Sequence, residues 1–306
     1  MKHYQLSYCD NFKCIADKCK HTCCAGWQMN IDEKTLGDYK NNTSEFSATL
    51  KKGIDFKRSR FKANKLGRCA FLNDKNLCDI IINLGEKSLC QVCTDHPRFR
   101  SFFNDRVELG LGFCCEQATK IILSYADKIQ PILTSDDGKT EQLDFNEKNV
   151  LEFRTKALNI IQDREIDIND RIKNLLKECH FDFDNFEFKK LVKLLLSLEK
   201  INKSWINTLK TLKTKPFNTT TNYHLSIIAE QFLVNSLFRH LSDAEDTLWV
   251  RARAIACVIF WWIILNTFEQ NNTDIFDVVR EFSVEIEYSQ NNLDKLFNFA
   301  YKFIKL

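Results

Sequence analysis

Apolar residues near the end of the chain, Leu293, Leu296, Phe297, Ala300, Phe303 and Ile304, recur at i, i+3, i+4, i+7, i+10 and i+11. That spacing predicts an amphipathic helix. Phe188, Leu191, Val192, Leu195 and Leu198 form a second stripe of the same kind. Further helical runs are predicted near 147–163, 168–179, 223–241, 246–269 and 273–286. Between Ala254 and Leu265 the pattern becomes apolar on every face, over twelve residues. About 18 are needed to span a bilayer, so this run predicts a helix buried in a core, and no membrane partner is expected. Trp249, Trp261 and Trp262 read as core aromatics.

Glycine sharpens this division. All eight glycines lie at or before Gly138, and 139–306 contains one proline, Pro216. Tight turns and bulges in sheets call for residues that tolerate positive φ, so a stretch this long without glycine predicts stacked helices. The cysteines divide the same way: eleven of thirteen lie between Cys9 and Cys115, leaving Cys179 and Cys257 as buried thiols of the helical part. The expected architecture is mainly α. A cysteine-rich, loop- and helix-containing metal-binding part (1–134) packs on an all-helical bundle (140–306), joined by a connector at Ser135–Lys139.

Charge removes some functions. The chain carries 44 Lys+Arg against 41 Asp+Glu, a net +3, which is too balanced for a protein devoted to gripping phosphate backbones. Through Lys128 the balance is +6, with much of the excess between Lys51 and Arg68; beyond it is −3. The basic run reads as a solvated loop. Phe56 and Phe61 interleave with it in a way that could stack on bases, but no nucleic-acid motif stands nearby and no nucleic-acid partner is expected. The amino terminus lacks the apolar core of a secretory signal. With an odd number of cysteines, this points to a reducing, cytoplasmic setting in which thiols bind metal instead of pairing.

The candidate ligands are Cys14, Cys19, Cys23, Cys24, Cys69, Cys78, Cys90, Cys93 and Cys114. Thiolates tolerate close approach only around a cation. Cys90-x2-Cys93 suits one zinc knuckle, and Cys14 with Cys19, or Cys19 with Cys23, a looser second. The doublet Cys23-Cys24 fits one zinc poorly, whereas an iron–sulfur cluster accepts irregular spacing because its cysteines bind different irons. An iron–sulfur cluster, with zinc as the alternative, is the expected cofactor.

These residues resemble the flagellin lysine-N-methylase family, related to cysteine-rich proteins described as zinc- or iron-chelating. The likeness runs through Phe12–Asp32 (F-x-C, then C-x3-CC-x-G-W-x3-I-D), Cys69–Cys78, Leu89–Arg98 (L-C-x2-C-x2-H-P-R) and Cys114–Ala118. Cys115 stands where the family commonly has proline. In the second half, Glu230–Asn235 leading to Arg239, and Ile286–Leu293, are similar, with Tyr288 where the family commonly has histidine. The resemblance implies methylation of lysines on flagellin or a similar protein, with S-adenosylmethionine as donor and a protein-bound 4Fe-4S-type cluster.

Such chemistry needs a deprotonated amine, and a lysine with pKa near 10.4 is neutral only about once in a few thousand at pH 7. Glu116, Glu230, Glu287 and Tyr288, all in matched segments, are the candidate catalytic groups. Trp27 could shield a cofactor and Arg98 clamp a carboxylate or cap a helix. No glycine-rich nucleotide loop follows a strand, and Gly110-x-Gly112 is too short a match. A cluster could thus serve as scaffold or as anchor for the donor. The competing reading is a non-catalytic zinc- or iron-binding module with a partner-docking helical part.

Overall fold

The computed structural model describes residues 1–138, 141–213, 216–271 and 273–305. In chain order the elements are β1 (Lys2–Leu6), α1 (Glu33–Lys40), α2 (Ser47–Gly53), β2 (Ile54–Asp55), β3 (Arg60–Phe61), α3 (Asp79–Leu84), α4 (Gln91–Asp95), β4 (Arg98–Phe102), β5 (Arg106–Leu111), α5 (Glu116–Leu123) and β6 (Pro131–Asp136). Eight helices follow: α6 (Phe145–Ile161), α7 (Ile168–Glu178), α8 (Phe188–Ser197), α9 (Lys203–Thr211), α10 (Ser226–His240), α11 (Thr247–Asn271), α12 (Ile275–Phe282) and α13 (Gln290–Tyr301). A single π-helical turn, Ser283–Glu287, continues α12.

The chain divides into two compact units, Lys13–Arg98 and a larger one made of Met1–Phe12 with Phe99–Leu306. This differs from the division at 134–140 suggested by composition, because residues 1–12 and 99–134 build the larger unit. They do so through a four-stranded mixed sheet of order β4-β5-β1-β6 that the helical reading did not anticipate. β1 lies parallel to β5, with Tyr4 opposite Glu108, and antiparallel to β6, with Gln5 opposite Ile132. Ser135 and Asp136, expected in the connector, end β6; Lys139 lies outside the described residues. Gly110 permits the close approach within this sheet, since a Cβ there would overlap the Phe99 ring and press on Leu6.

The helices of the larger unit start where side chains supply caps. Asp144 and Glu147 form a reciprocal capping box on α6, and Asp167, Asp274 and Ser289 accept first-turn amides of α7, α12 and α13. α11 is the central element: every residue from Ala254 to Leu265 is buried. Among the described residues it is the one helix long and apolar enough to cross a membrane, yet 78% of its most apolar window is buried inside the protein. Its burial on all faces follows from lacking a polar one. Trp261 donates to Thr221 Oγ1 at 2.8 Å, and Trp249 packs on Tyr301. α9, absent from the predicted runs, buries Trp205 and Leu209.

The Lys13–Arg98 unit has short elements and ten buried apolar residues, among them Cys69 and Cys90. Its basic stretch is not a plain loop: it spans the end of α2 and the β2–β3 pair. Phe61 points into the small core, packed edge-on against Phe71, so it offers no face for a base.

Candidate functional site

In the Lys13–Arg98 unit the chain turns at Gly26, whose φ of +87° is a left-handed conformation suited to glycine. The turn is tied by Gly26 N–H to Gly67 O (3.1 Å) and by Cys69 N–H to Cys24 O (2.7 Å), bringing Cys23-Cys24 beside Cys69. Cys78 and Cys90 precede the first turns of α3 and α4. The Cys69 sulfur accepts the Phe71 amide, Cys78 those of Ile80 and Ile81, and Cys90 that of Cys93. Amides aimed at sulfur favour the thiolate.

Five sulfurs, of Cys24, Cys69, Cys78, Cys90 and Cys93, lie within reach of one another's charge. A hydrogen bond from Cys23 holds the Cys24 thiol down, to about 7, against burial. Burial pushes Cys69 up to about 12 and raises Cys78, with the neighbouring sulfurs adding to both. Within the hydrogen-bonded pair the contact with Cys93 lowers Cys90, while Cys90 and burial raise Cys93. None of the thirteen cysteines forms a disulfide. Among the described residues, however, no three His, Cys, Asp or Glu side chains are already arranged around a point that would hold a metal ion. The thiols are a group sharing one neighbourhood. Cys14 is exposed, its sulfur accepting from the Ala16 amide at 3.4 Å, and Cys19 is half-buried. Trp27 donates to Cys23 O at 2.7 Å and stacks on His96. Arg98 donates to Thr94 O at the end of α4, the capping role.

The remaining candidates belong to the larger unit. Cys114, just before α5, is buried, and its Sγ lies 2.7 Å from the hydroxyl of Tyr288, which follows the π-helical turn. Burial pushes the Cys114 thiol up to about 12. Burial, then the adjacent Cys114, raises Tyr288 likewise, although the ring is 46% exposed. Both groups therefore carry their protons near neutrality. Next to Tyr288, Glu287 is buried against Arg239 (3.2 Å), His240 Nε2 (2.7 Å) and Ser283 Oγ. Burial works to raise Glu287, but Arg239 and His240 outweigh it and hold the carboxyl down, to about 2. Burial lowers His240, leaving a neutral imidazole that donates to Glu287. Tyr8, hydrogen-bonded to Asn235, also feels the charge of Arg239.

This arrangement sets the charge state of two of the candidates. Glu287 is a locked anion and a poor base. Tyr288 is a protonated phenol with one face toward solvent, able to donate to sulfur and accept from a substrate while Glu287, His240 and Arg239 hold its backbone neighbour in place. Glu230, fully buried, is bound by Arg171 (2.6 Å) and Arg164 (2.8 Å), so its oxygens are engaged in an ion-pair network. Glu116 is buried at the start of α5 and pairs with Lys120 at 3.1 Å, where a carboxylate favours the helix N-terminus. His240 and Ser283 are not singled out by the sequence; the signal for His240 is a lone imidazole beside Arg239 at the end of α10, a helix buried from Ala229 to Phe238.

No family model matches the chain, and no solved structure matches it. Among curated proteins it is similar to a Lysine-N-methylase of Salmonella typhimurium (strain LT2), 26% identical over 162 residues, 50% of this chain and 39% of that protein. A Lysine-N-methylase of Salmonella choleraesuis (strain SC-B67) is 24% identical over the same length. The Flagellar biosynthetic protein FliU of Salmonella muenchen is 28% identical over 129 residues, 40% of this chain and 76% of that protein. The matched region thus spans about two-fifths of the length of the two Lysine-N-methylases. The likeness read from the motifs is borne out: curated proteins named Lysine-N-methylase and FliU are distant homologues of this chain over about half its length.

Proposed function

We propose that this protein is a protein-lysine N-methyltransferase, taking methyl groups from S-adenosylmethionine and placing them on lysines of flagellin or a similar protein. The observation that carries this reading is the meeting of Cys114 and Tyr288, which come from two of the segments that resemble lysine-N-methylases. The distant homology to proteins of that name supports it, and the name of FliU supports a flagellar substrate.

In the transfer, a substrate lysine Nζ lone pair forms the N–C bond as the S–C bond of the sulfonium breaks, and the amine gives up one proton. This needs positioning and desolvation more than covalent help. Tyr288 keeps its proton and donates a hydrogen bond to Cys114 sulfur, while its oxygen accepts one from an N–H of the substrate amine, which has already lost its ammonium proton to solvent, and so orients the lone pair. Arg239, His240 and Glu287 fix Tyr288. The proton leaves to solvent, because Glu287 and Glu230 are both engaged.

For the Lys13–Arg98 unit, the donor set fits a thiolate-bound metal: soft sulfurs, backbone amides turned to three of them, and a core of only ten apolar residues that a bound ion would reinforce. Cys24, Cys69, Cys78, Cys90 and Cys93 would hold it, with Cys23 alongside, as an iron–sulfur cluster in the first instance. When bound, such a group would supply structural order to the Lys13–Arg98 unit. Cys14 and Cys19 remain proposed members of the set, while Cys114 is assigned here to Tyr288.

Incubating the purified protein with methyl-labelled S-adenosylmethionine and flagellin tests the activity. Label is expected in methyl-lysine after hydrolysis. Its absence, from protein that retains iron and acid-labile sulfide, would favour a metal-binding module without catalysis.

A further inference from the structure

We infer that the groove beside α8 is a docking site for an acidic amphipathic helix of a partner protein. The groove has a volume of about 650 Å³ and is walled by Phe188, Val192, Leu212 and Phe217. Phe188 and Phe217 stack with ring centroids 4.3 Å apart, giving one rigid apolar wall. Around it stand Lys189, Lys193 and Lys213, all exposed, and none forms an ion pair among the described residues. The one acidic residue at the rim, Glu187, pairs with Lys190 at 2.6 Å. From Glu187 to Lys213 the chain has seven lysines and two glutamates, although the part beyond Lys128 is net negative. The second glutamate, Glu199, is held by Ser289 and Asn291.

Charge complementarity selects the occupant. An apolar pocket ringed by cations takes apolar anchors flanked by carboxylates, and Lys189 and Lys193 lie one turn apart on either side of Val192 in sequence. A helix with leucine or phenylalanine at i, i+3 and i+4, and Asp or Glu beside them, matches both features. The concave shape favours such side-chain anchors over a flat bilayer. This surface shares no residue with the Cys114–Tyr288 contact and does not depend on the methylation reading.

Fluorescence anisotropy on the full chain tests it, with a labelled helical peptide of leucine and glutamate at that spacing and a control peptide bearing lysine for glutamate. The acidic peptide is expected to bind. The K189E/K193E/K213E variant, altered only at exposed positions, should bind it about tenfold or more weakly and gain affinity for the lysine peptide. Raising ionic strength from about 0.1 M to 1 M, which shortens the Debye length from about 10 Å to 3 Å, should also weaken binding. The inference is overturned if the acidic peptide does not bind, if charge reversal leaves its binding unchanged, or if only vesicles of anionic phospholipid bind.

Discussion

Glu230→Gln is expected to destabilise the larger unit by about 3–5 kcal/mol, the usual consequence of removing one partner from a buried ion pair. The carboxylate is fully buried and faces two guanidinium groups, one of them on Arg171, which is itself 5% exposed. An amide of the same shape keeps the packing and some hydrogen bonding but leaves the Arg171 charge without its counter-ion. Urea unfolding followed by far-ultraviolet circular dichroism measures the effect. A change below about 1 kcal/mol, the range of exposed pairs, would show that the network contributes little.

The second large effect concerns pH. Glu287 has its folded pKa held down to about 2, against an ordinary value of 4.5. Its contribution is therefore fully present above about pH 4.5 and is lost as pH falls toward 2, an amount of about 3 kcal/mol. His240, kept neutral by burial, adds an acid-sensitive limb of the same sign: stability falls as pH drops below its ordinary 6.5, because the unfolded chain takes up the proton more readily. In Glu287→Gln the lower limb should vanish. The stability gap between wild type and variant should be largest near neutrality and shrink by about 3 kcal/mol toward pH 2. Parallel stability-versus-pH curves would contradict the assignment of Glu287 as a locked anion.

Most of the helical body is legible in the sequence because its apolar spacing persists over several turns, as in α8, α11 and α13. The sheet is not. β1 pairs with residues more than a hundred positions away, and all six residues of β6 are exposed, so no local alternation marks them. α9 hid for a different reason, being short and mostly polar outside Trp205, Ile206 and Leu209. At the candidate site, motif likeness pointed to Cys114, Glu287 and Tyr288, and the fold joins them. Motif likeness also pointed to Glu230, but what decides its role is the pair of arginines on the α6–α7 link and α7, which no spacing reveals. The cysteines show the same limit. Spacing identified thiols suited to metal, and only the turn at Gly26 shows that Cys24 falls beside Cys69.

The central claim is that the Cys114–Tyr288 contact marks the place where a lysine is methylated. Its most direct test is the rate of methyl transfer from labelled S-adenosylmethionine to flagellin lysine by wild type and by Tyr288→Phe, compared at equal folded concentration. Loss of one orienting hydrogen bond, about 1–1.5 kcal/mol, predicts a rate lower by about five- to tenfold, with an unchanged unfolding midpoint. Equal rates for the two proteins, or no transfer by folded wild type, would contradict the account.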